Sequence, residues 1–495
     1  DLTRHDPKTL GDSGGPITHD MNGPEVYATI FTIAPSRKEE GTIWTGSDDG
    51  LIYITRDGGK NWENITPKDM PEFTRVSMID ASPFKAGTAY VATKSYQLDD
   101  YTPYIYRTDD YGKTWTKIVN GIAPGDYVQA VREDPEREGL LYAGTEHGIY
   151  VSFDNGGHWQ SLSLNLPDVQ VADLVVQPND LVIATHGRSF YILDDIWPLR
   201  QLSPAVMTSA LHVFKPGDAY RRVEPATIDY YLDRPADKVT IDILDSQGKV
   251  IRTTTGTAAG EKKTADEGEF RRGPKPPTTK AGLNRYEWDL RGTGPTTFEG
   301  MILWGADAQE GPYVVPGNFQ VRVTANGQTQ TQPLVVKLDP RVHGITNQDL
   351  TEQLTLAMQI QDQVSRANEG VIQIRTIKAD IADRLKKANG NKRLQAAGEA
   401  LTQKLSGIEE DLYQVKNRSG QDPLNFAIKI NNRLAALERI VESADARPTD
   451  QSYAVFKDEK AELDKYMGTL DTVKQTDVAA FNKLLAARKL PSIGG

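Results

Sequence analysis

Apolar and polar positions follow two different rhythms along this chain. Through the first two hundred or so residues the rhythm has a period of two, in short runs such as Leu51-Ile52-Tyr53-Ile54, Tyr104-Ile105-Tyr106 and Gly148-Ile149-Tyr150-Val151. Gly, Asp and Pro flank these runs, which predicts strands and tight turns. Residues 210–340 continue in strand rhythm, with candidates at 227–232, 239–244, 284–290, 319–325 and 331–338, the last two joined by Asn326-Gly327. From about Asn347 the period becomes helical. Leu350, Ala357, Val364, Val371 and Leu385, with Ile360, Ala367, Ile374 and Ile381, predict one long helix with a heptad-like seam. Gly390-Asn391 predicts a turn into a second helix through Leu394, Leu401, Leu405, Ile408 and Leu412. Asp422-Pro423 reads as the start of a third through Ile430 and Leu434, and Thr449 or Asp450 as the start of a fourth.

The strand region is also a repeat. Ser/Thr-x-Asp-x-Gly-x-x-Trp recurs at Thr55, Asp57, Gly59 and Trp62; at Thr108, Asp110, Gly112 and Trp115; and at Ser152, Asp154, Gly156 and Trp159. Each box follows an alternating run and precedes a short strand, so it predicts a hairpin turn. Asp accepts from turn amides, Gly supplies positive φ and Trp buries apolar surface beside the next unit. The Trp residues lie 53 and 44 residues apart, the period of a four-stranded propeller blade. A fourth unit keeps the rhythm over 171–202 but has Asp194-Asp195-Ile196-Trp197 where the box belongs.

The expected fold class is mainly β and multidomain: a lead-in loop over 1–26, about four blades of a partial β-propeller over 27–203, an immunoglobulin- or fibronectin-like β-sandwich over 210–340 and a C-terminal antiparallel α-helical bundle over 346–490. Two long loops, 254–282 and 292–312, interrupt the sandwich. The second carries Met301-Ile302-Leu303-Trp304, expected to cap it in preference to docking a neighbouring domain. Four blades fall short of the rings such repeats commonly build. The outer faces of the first and fourth units are therefore expected to meet blades of an upstream segment or of a second polypeptide, and the bundle offers a surface for oligomer formation.

Charge narrows the partners. With 57 basic against 68 acidic residues, a net charge of −11, and no basic stripe, nucleic acid is excluded as the main partner. The absence of cysteine excludes disulfides, thiolate metal sites and a Cys nucleophile. No apolar run approaches a membrane span. Opening on Asp1, the chain is expected to be a processed product.

Candidate chemistry falls on the turns between second and third strands, opposite the boxes. These hold Asp48 and Asp49, the insertion with Tyr96, Gln97, Asp99, Asp100 and Tyr101, then Glu146 and His147, then His186 and Arg188; Arg75, Tyr127 and Asp173 join them from the connections between blades. Carboxylates, imidazoles and phenols on one face suit a glycan or a peptide. Asp99, Asp100 and Glu146 are the acid/base candidates if a glycosidic bond is cleaved, and Asp57, Asp110 and Asp154 are read as structural. Calcium is the one metal considered, at the Asp48-Asp49 and Asp99-Asp100 pairs, although neither has the graded ligand spacing of a dedicated loop; otherwise no cofactor is expected. Gly11-Asp12-Ser13-Gly14-Gly15-Pro16 resembles the nucleophile motif of trypsin-like serine proteases, with Ser13 as nucleophile, but only His5 precedes it and no protease barrel fits upstream.

The three boxes, with the Gly46–Leu51 and Gly144–Ile149 turns before them, resemble the Asp-box, or bacterial neuraminidase repeat, propellers. They are similar in particular to large bacterial secreted proteins related to the sortilin ectodomain and to two-propeller xyloglucanases. That resemblance implies an extracellular, cell-surface or periplasmic location and, upstream, another propeller. Sialidases of this class carry an Arg-Ile-Pro signature that does not occur here. What the resemblance leaves is a non-catalytic binding or assembly protein, with an inverting glycoside hydrolase as the alternative.

Overall fold

The alternating runs become strands because each carries a row of Ile, Val or Tyr that has a facing row to meet. The computed structural model describes residues 1–5, 8, 27–258, 275–306, 310–388 and 390–494, in two compact units, Asp1–Leu202 and Ser203–Gly495. The Ser13 motif lies outside the described residues, as does the middle of the 254–282 loop.

In the first unit β1 (Ile30–Pro35), β2 (Ile43–Ser47), β3 (Ile52–Thr55) and β4 (Glu63–Asn64) form blade one. Blade two is β5 (Arg75–Ala81), β6 (Ala89–Ser95), β7 (Asp100–Thr108) and β8 (Thr116–Lys117). Blade three is β9 (Val128–Glu133), β10 (Leu141–Thr145), β11 (Gly148–Ser152) and β12 (Gln160–Ser161). Blade four has three strands among the described residues, β13 (Val171–Val176), β14 (Leu181–Thr185) and β15 (Phe190–Leu193). All are antiparallel meanders, and every first strand bulges at the same place, between Ile30 and Thr32 in blade one and between Val171 and Asp173 in blade four. Core lies between successive blades. Ile52 and Ile54 meet Val76 and Ile79; Ile105 meets Val128 and Val131; Ile149 and Val151 meet Val171 and Leu174.

The boxes occupy the third-to-fourth turns and do what their chemistry predicts. Thr55 Oγ1 donates to Asp57 Oδ1 at 2.9 Å and accepts from the Gly59 amide at 2.9 Å, while the Asn61 amide donates to Asp57. Thr108 with Asp110, and Ser152 with Asp154, repeat the arrangement. Hydrogen bonds from the Asn61 backbone and side chain hold the Asp57 carboxyl down at about 2, as expected of an acid whose charged form is the acceptor.

In the second unit, strands Leu211–Val213, Ala226–Leu232 and Gly282–Trp288 form one sheet. Ala219–Tyr220, Gln328–Lys337, Gly317–Ala325, Lys238–Leu244 and Val250–Thr257 form the other, and Tyr230, Trp288, Ile241, Val321 and Val323 fill the space between. Ala325 pairs with Gln328 across Asn326-Gly327, both at positive φ, as a type I′ hairpin requires. Helices Asn347–Lys387, Lys392–Leu412, Ile430–Val441 and Asp450–Val473 follow, with the heptad residues in one core. Thr346 caps the first through a reciprocal bond with Asp349.

Two expectations are corrected. Met301 and Leu303 pack on the helical core, the Ile302 amide donates to Tyr413 and the Trp304 amide to Asn432, so this segment docks on the helices instead of capping the sandwich. Asp422-Pro423 opens only a 3-10 turn, Asp422–Leu424; the helix proper begins at Ile430.

A buried polar seam joins sandwich to helices. Arg221 donates to the Val314 carbonyl and to Gln353 Oε1, both at 3.0 Å, and pairs with Asp445. Arg291 donates to Glu442 at 2.8 Å, and Glu442 also accepts from the Tyr313 amide at 2.8 Å. The Arg291 guanidinium lies 3.7 Å from the Tyr313 ring centroid.

Candidate functional site

The second-to-third turns form the face opposite the boxes, and each of three is pinned to the residue just before the first strand of its own blade. The Asp48 amide donates to the Thr29 carbonyl, the Glu146 amide to Tyr127 and the His186 amide to Gln170. The turns are therefore fixed supports for what they carry.

The insertion between β6 and β7 turns through a 3-10 segment, Tyr96–Leu98, closed by Asp99 at φ 59°. It lays Tyr96 against Tyr127 with ring centroids 4.9 Å apart and planes at 21°, and brings Tyr101 to 6.2 Å from the same ring. Polar groups surround this stack. The Tyr127 hydroxyl bonds Glu146; burial first, then that carboxylate, pushes the phenol well above its usual range. Gln170 donates to Tyr127 at 3.3 Å and also to Glu146, and its carbonyl oxygen meets His186 Nδ1 at 2.9 Å. On the other side Lys94 donates to Gln129 and lies 5.8 Å from the Tyr96 ring. Burial, reinforced by the Arg75 charge and opposed by Glu146, lowers the Lys94 ammonium to about 8.

Of the residues singled out in the sequence, this arrangement gathers Tyr96, Tyr101, Tyr127, Glu146 and His186. Others are engaged elsewhere. Asp48 accepts from the Thr29 amide at 2.8 Å; Asp49 is fully buried and accepts from Ser47 and the Arg4 amide. Arg75 sits over the Phe31 ring at 5.1 Å. Asp100 accepts from the Thr102 amide and the Tyr104 hydroxyl, which hold its carboxyl below the usual range against the opposing effect of burial. His147 turns away to Asp168, which raises its imidazole pKa, and Asp173 binds Arg132 and its neighbour's amide. Gln97, Asp99 and Arg188 are exposed. Among the described residues no group of three or more His, Asp or Glu is placed to hold a metal ion.

Lys94, Gln129 and Gln170 were missed. A signal existed for two of them. Lys94 puts a charge two residues beyond the wholly apolar run 89–92, and Gln170 occupies the register of Arg75 and Tyr127, one residue before the valine at the bulge of the first strand in blades two to four. Gln129 has no such mark.

Residues 50–187 match the Sortilin-Vps10 family model, described as sortilin, neurotensin receptor 3. This is a sortilin- and xyloglucanase-like propeller segment. Over 124 residues the chain is 29% identical to the oligoxyloglucan-reducing end-specific xyloglucanase of Emericella nidulans, covering 25% of this chain and 15% of that one. Over 125 residues it is 31% identical to the vacuolar protein sorting/targeting protein 10 of Laccaria bicolor, covering 24% of this chain and 8% of the relative. The chain thus spans a small part of the length of these curated relatives. Among solved structures, the GH74 xyloglucanase from Xanthomonas campestris aligns at 14% identity with a TM-score of 0.29, over 62% of this chain and 45% of that one. The sortilin-like match covers the three boxes, blades two and three whole, and the residues of the candidate face from Lys94 to His186. Among the described residues no helix is long and apolar enough to cross a membrane.

Proposed function

We propose that the turn face of the sortilin-like blades binds a glycan without cleaving it, with Tyr96 and Tyr127 as the stacking platform and Lys94, Glu146, Gln170 and His186 as the polar ring that orients the sugar. One observation carries this reading: two phenols stacked at 4.9 Å, with amide, carboxylate and ammonium groups around them, at the mouth of a rigidly pinned set of turns. Aromatic faces provide area at low entropic cost, and the polar ring provides direction. Against cleavage, hydrogen bonds within its own hairpin hold the Asp100 carboxyl below the usual range, where it does not offer the raised carboxyl that a general acid needs, and Glu146 is engaged by two donors, Tyr127 and Gln170. An extracellular or envelope setting goes with this reading.

A second reading, an inverting glycoside hydrolase, draws on the xyloglucanase name of the Emericella relative. Calorimetric titration with a panel of xyloglucan and other oligosaccharides, run beside product analysis, separates the two. The binding reading expects saturable heat without product and a loss of about fivefold in affinity for Tyr127→Ala, the scale of one aromatic contact of about 1 kcal/mol. Product formation that disappears in Glu146→Gln would establish the hydrolase instead, and saturation by peptides alone would replace the glycan.

A further inference from the structure

The internal repeat supplies a measure for the two ends of the blade array. Strand registers make Ile30 and Ile33 of β1 equivalent to Val76 and Ile79, to Val128 and Val131, and to Val171 and Leu174. In blades two to four these positions are 0–2% exposed, because the third strand of the preceding blade covers them; in blade one Ile30 is 43% and Ile33 64% exposed. At the other end, Phe190 is the equivalent of Ile52, Ile105 and Ile149. Those three are 0–1% exposed under the following blade, whereas Phe190 is 73% and its neighbour Ile192 58% exposed. Each end thus shows the half of an interface that the chain completes three times inside itself.

The indoles specify the missing half. Trp115 Nε1 donates to the Ile65 carbonyl at 2.7 Å and Trp159 Nε1 to Ile118 at 2.8 Å, in each case three residues beyond the Trp of the preceding blade. Beside these bonds Gly112 and Gly156 are seated so closely on Ile65 and Ile118 that a Cβ would lie within 2.6 Å of the isoleucine. Among the described residues Trp62 has no such predecessor. Its indole turns back to the Gly59 carbonyl at 3.1 Å, and among the described residues only Trp62 itself comes within 4 Å of where a Gly59 Cβ would lie.

We propose that the outer face of blade one is the seat of a further four-stranded Asp-box blade, and that the outer face of blade four receives the first strand of the same blade array. The occupant of blade one's face covers Ile30 and Ile33 with its third strand, fills the notch at Gly59 with an aliphatic side chain and accepts the Trp62 indole proton at the adjoining carbonyl. A second copy of this chain does not meet that specification. Blade four, the end a copy would present, has no box and, among the described residues, no fourth strand, so it offers no counterpart of Ile65 or Ile118.

The chain has no cysteine, so Ile33→Cys reports cover at this face through its rate of maleimide labelling. The probe is a duplicate of residues 75–126, inserted between residues 26 and 27 of the full chain. Labelling is expected to slow at least tenfold with this box-bearing insert and to stay fast when residues 171–202 are inserted instead. Fast labelling with the box-bearing insert, in a protein whose circular dichroism shows it folded, overturns the proposal. On the unextended chain, Ile33→Asp and Phe190→Asp are expected to leave the urea midpoint unchanged while Ile79→Asp and Ile149→Asp collapse it. Equal losses at all four positions would mean that both faces are already covered and would overturn the proposal even if no extended chain folds. A discrete dimer in sedimentation velocity that slows Ile33→Cys labelling would do the same, by making the second copy the occupant.

Discussion

Lys94 shows how burial and two neighbouring charges set one residue's chemistry. Its ammonium is moved to about 8 by burial and by Arg75, against the pull of Glu146. A folded-state value below the unfolded one of about 10.4 means that the unfolded chain binds the extra proton between those limits. Below pH 8 both states are charged and the folded state bears the full cost of a partly desolvated ammonium; from pH 8 to about 10.4 that cost fades and stability rises. NMR of labelled lysine side chains is expected to show a resonance titrating near pH 8 that is absent in Lys94→Met. A Lys94 midpoint near 10.4 would mean that the side chain is not buried against Tyr96 and Gln129, and the polar ring would lose its cation.

The helix Ile430–Val441 carries a carboxyl whose environment works the other way. Glu438 is buried, and burial first, then the Glu442 charge, raises its carboxyl to about 8, with Arg291 opposing. The sign follows from the raised value. Below about pH 4.5 folded and unfolded states are both protonated, and stability that is fully present there is lost as pH climbs towards 8, because only the unfolded state releases its proton. Glu438→Gln removes that dependence, so its melting temperature is expected to match the parent at pH 4.5 and to exceed it progressively up to pH 8. A constant difference across the range would mean that the side chain reaches water. Elements of this kind were largely legible beforehand. Alternation marked β3, β7 and β11, the heptad residues marked the long helix, and the Asp57, Asp110 and Asp154 turns were readable because their chemistry is local. The candidate site was only partly legible. Tyr127 and Glu146 lie on predicted connections and turns, and Gln170, which donates to both, was marked only by its register, while Gln129, which accepts from Lys94, comes from a strand whose polar residues carry no local mark. Met301–Trp304 was misassigned because an apolar run records that it is buried and not against what.

For the second unit as a whole, the polar seam makes sandwich and helices one energetic body. Glu442 accepts from the Tyr313 amide and from Arg291, and it is buried. Glu442→Ala leaves the largely buried Arg291 guanidinium with Glu310, at 3.5 Å, as its remaining carboxylate, and breaking a buried pair in this way costs up to about 3–5 kcal/mol. Urea unfolding followed separately by tryptophan fluorescence of Trp288 and by helical circular dichroism is expected to show both signals shifting together. A shift in one alone would show that the seam does not couple them.

That coupling bears on how the molecule can be cut. The stretch between Lys337 and Asn347, where strand rhythm gives way to helix, invites dissection, and the sequence there offers no objection. Yet a sandwich excised at that point would keep Arg221, 1% exposed in the intact unit, with neither Gln353 nor Asp445 to answer it. Severing after Leu202 removes no member of the seam, so recombinant fragments should end there.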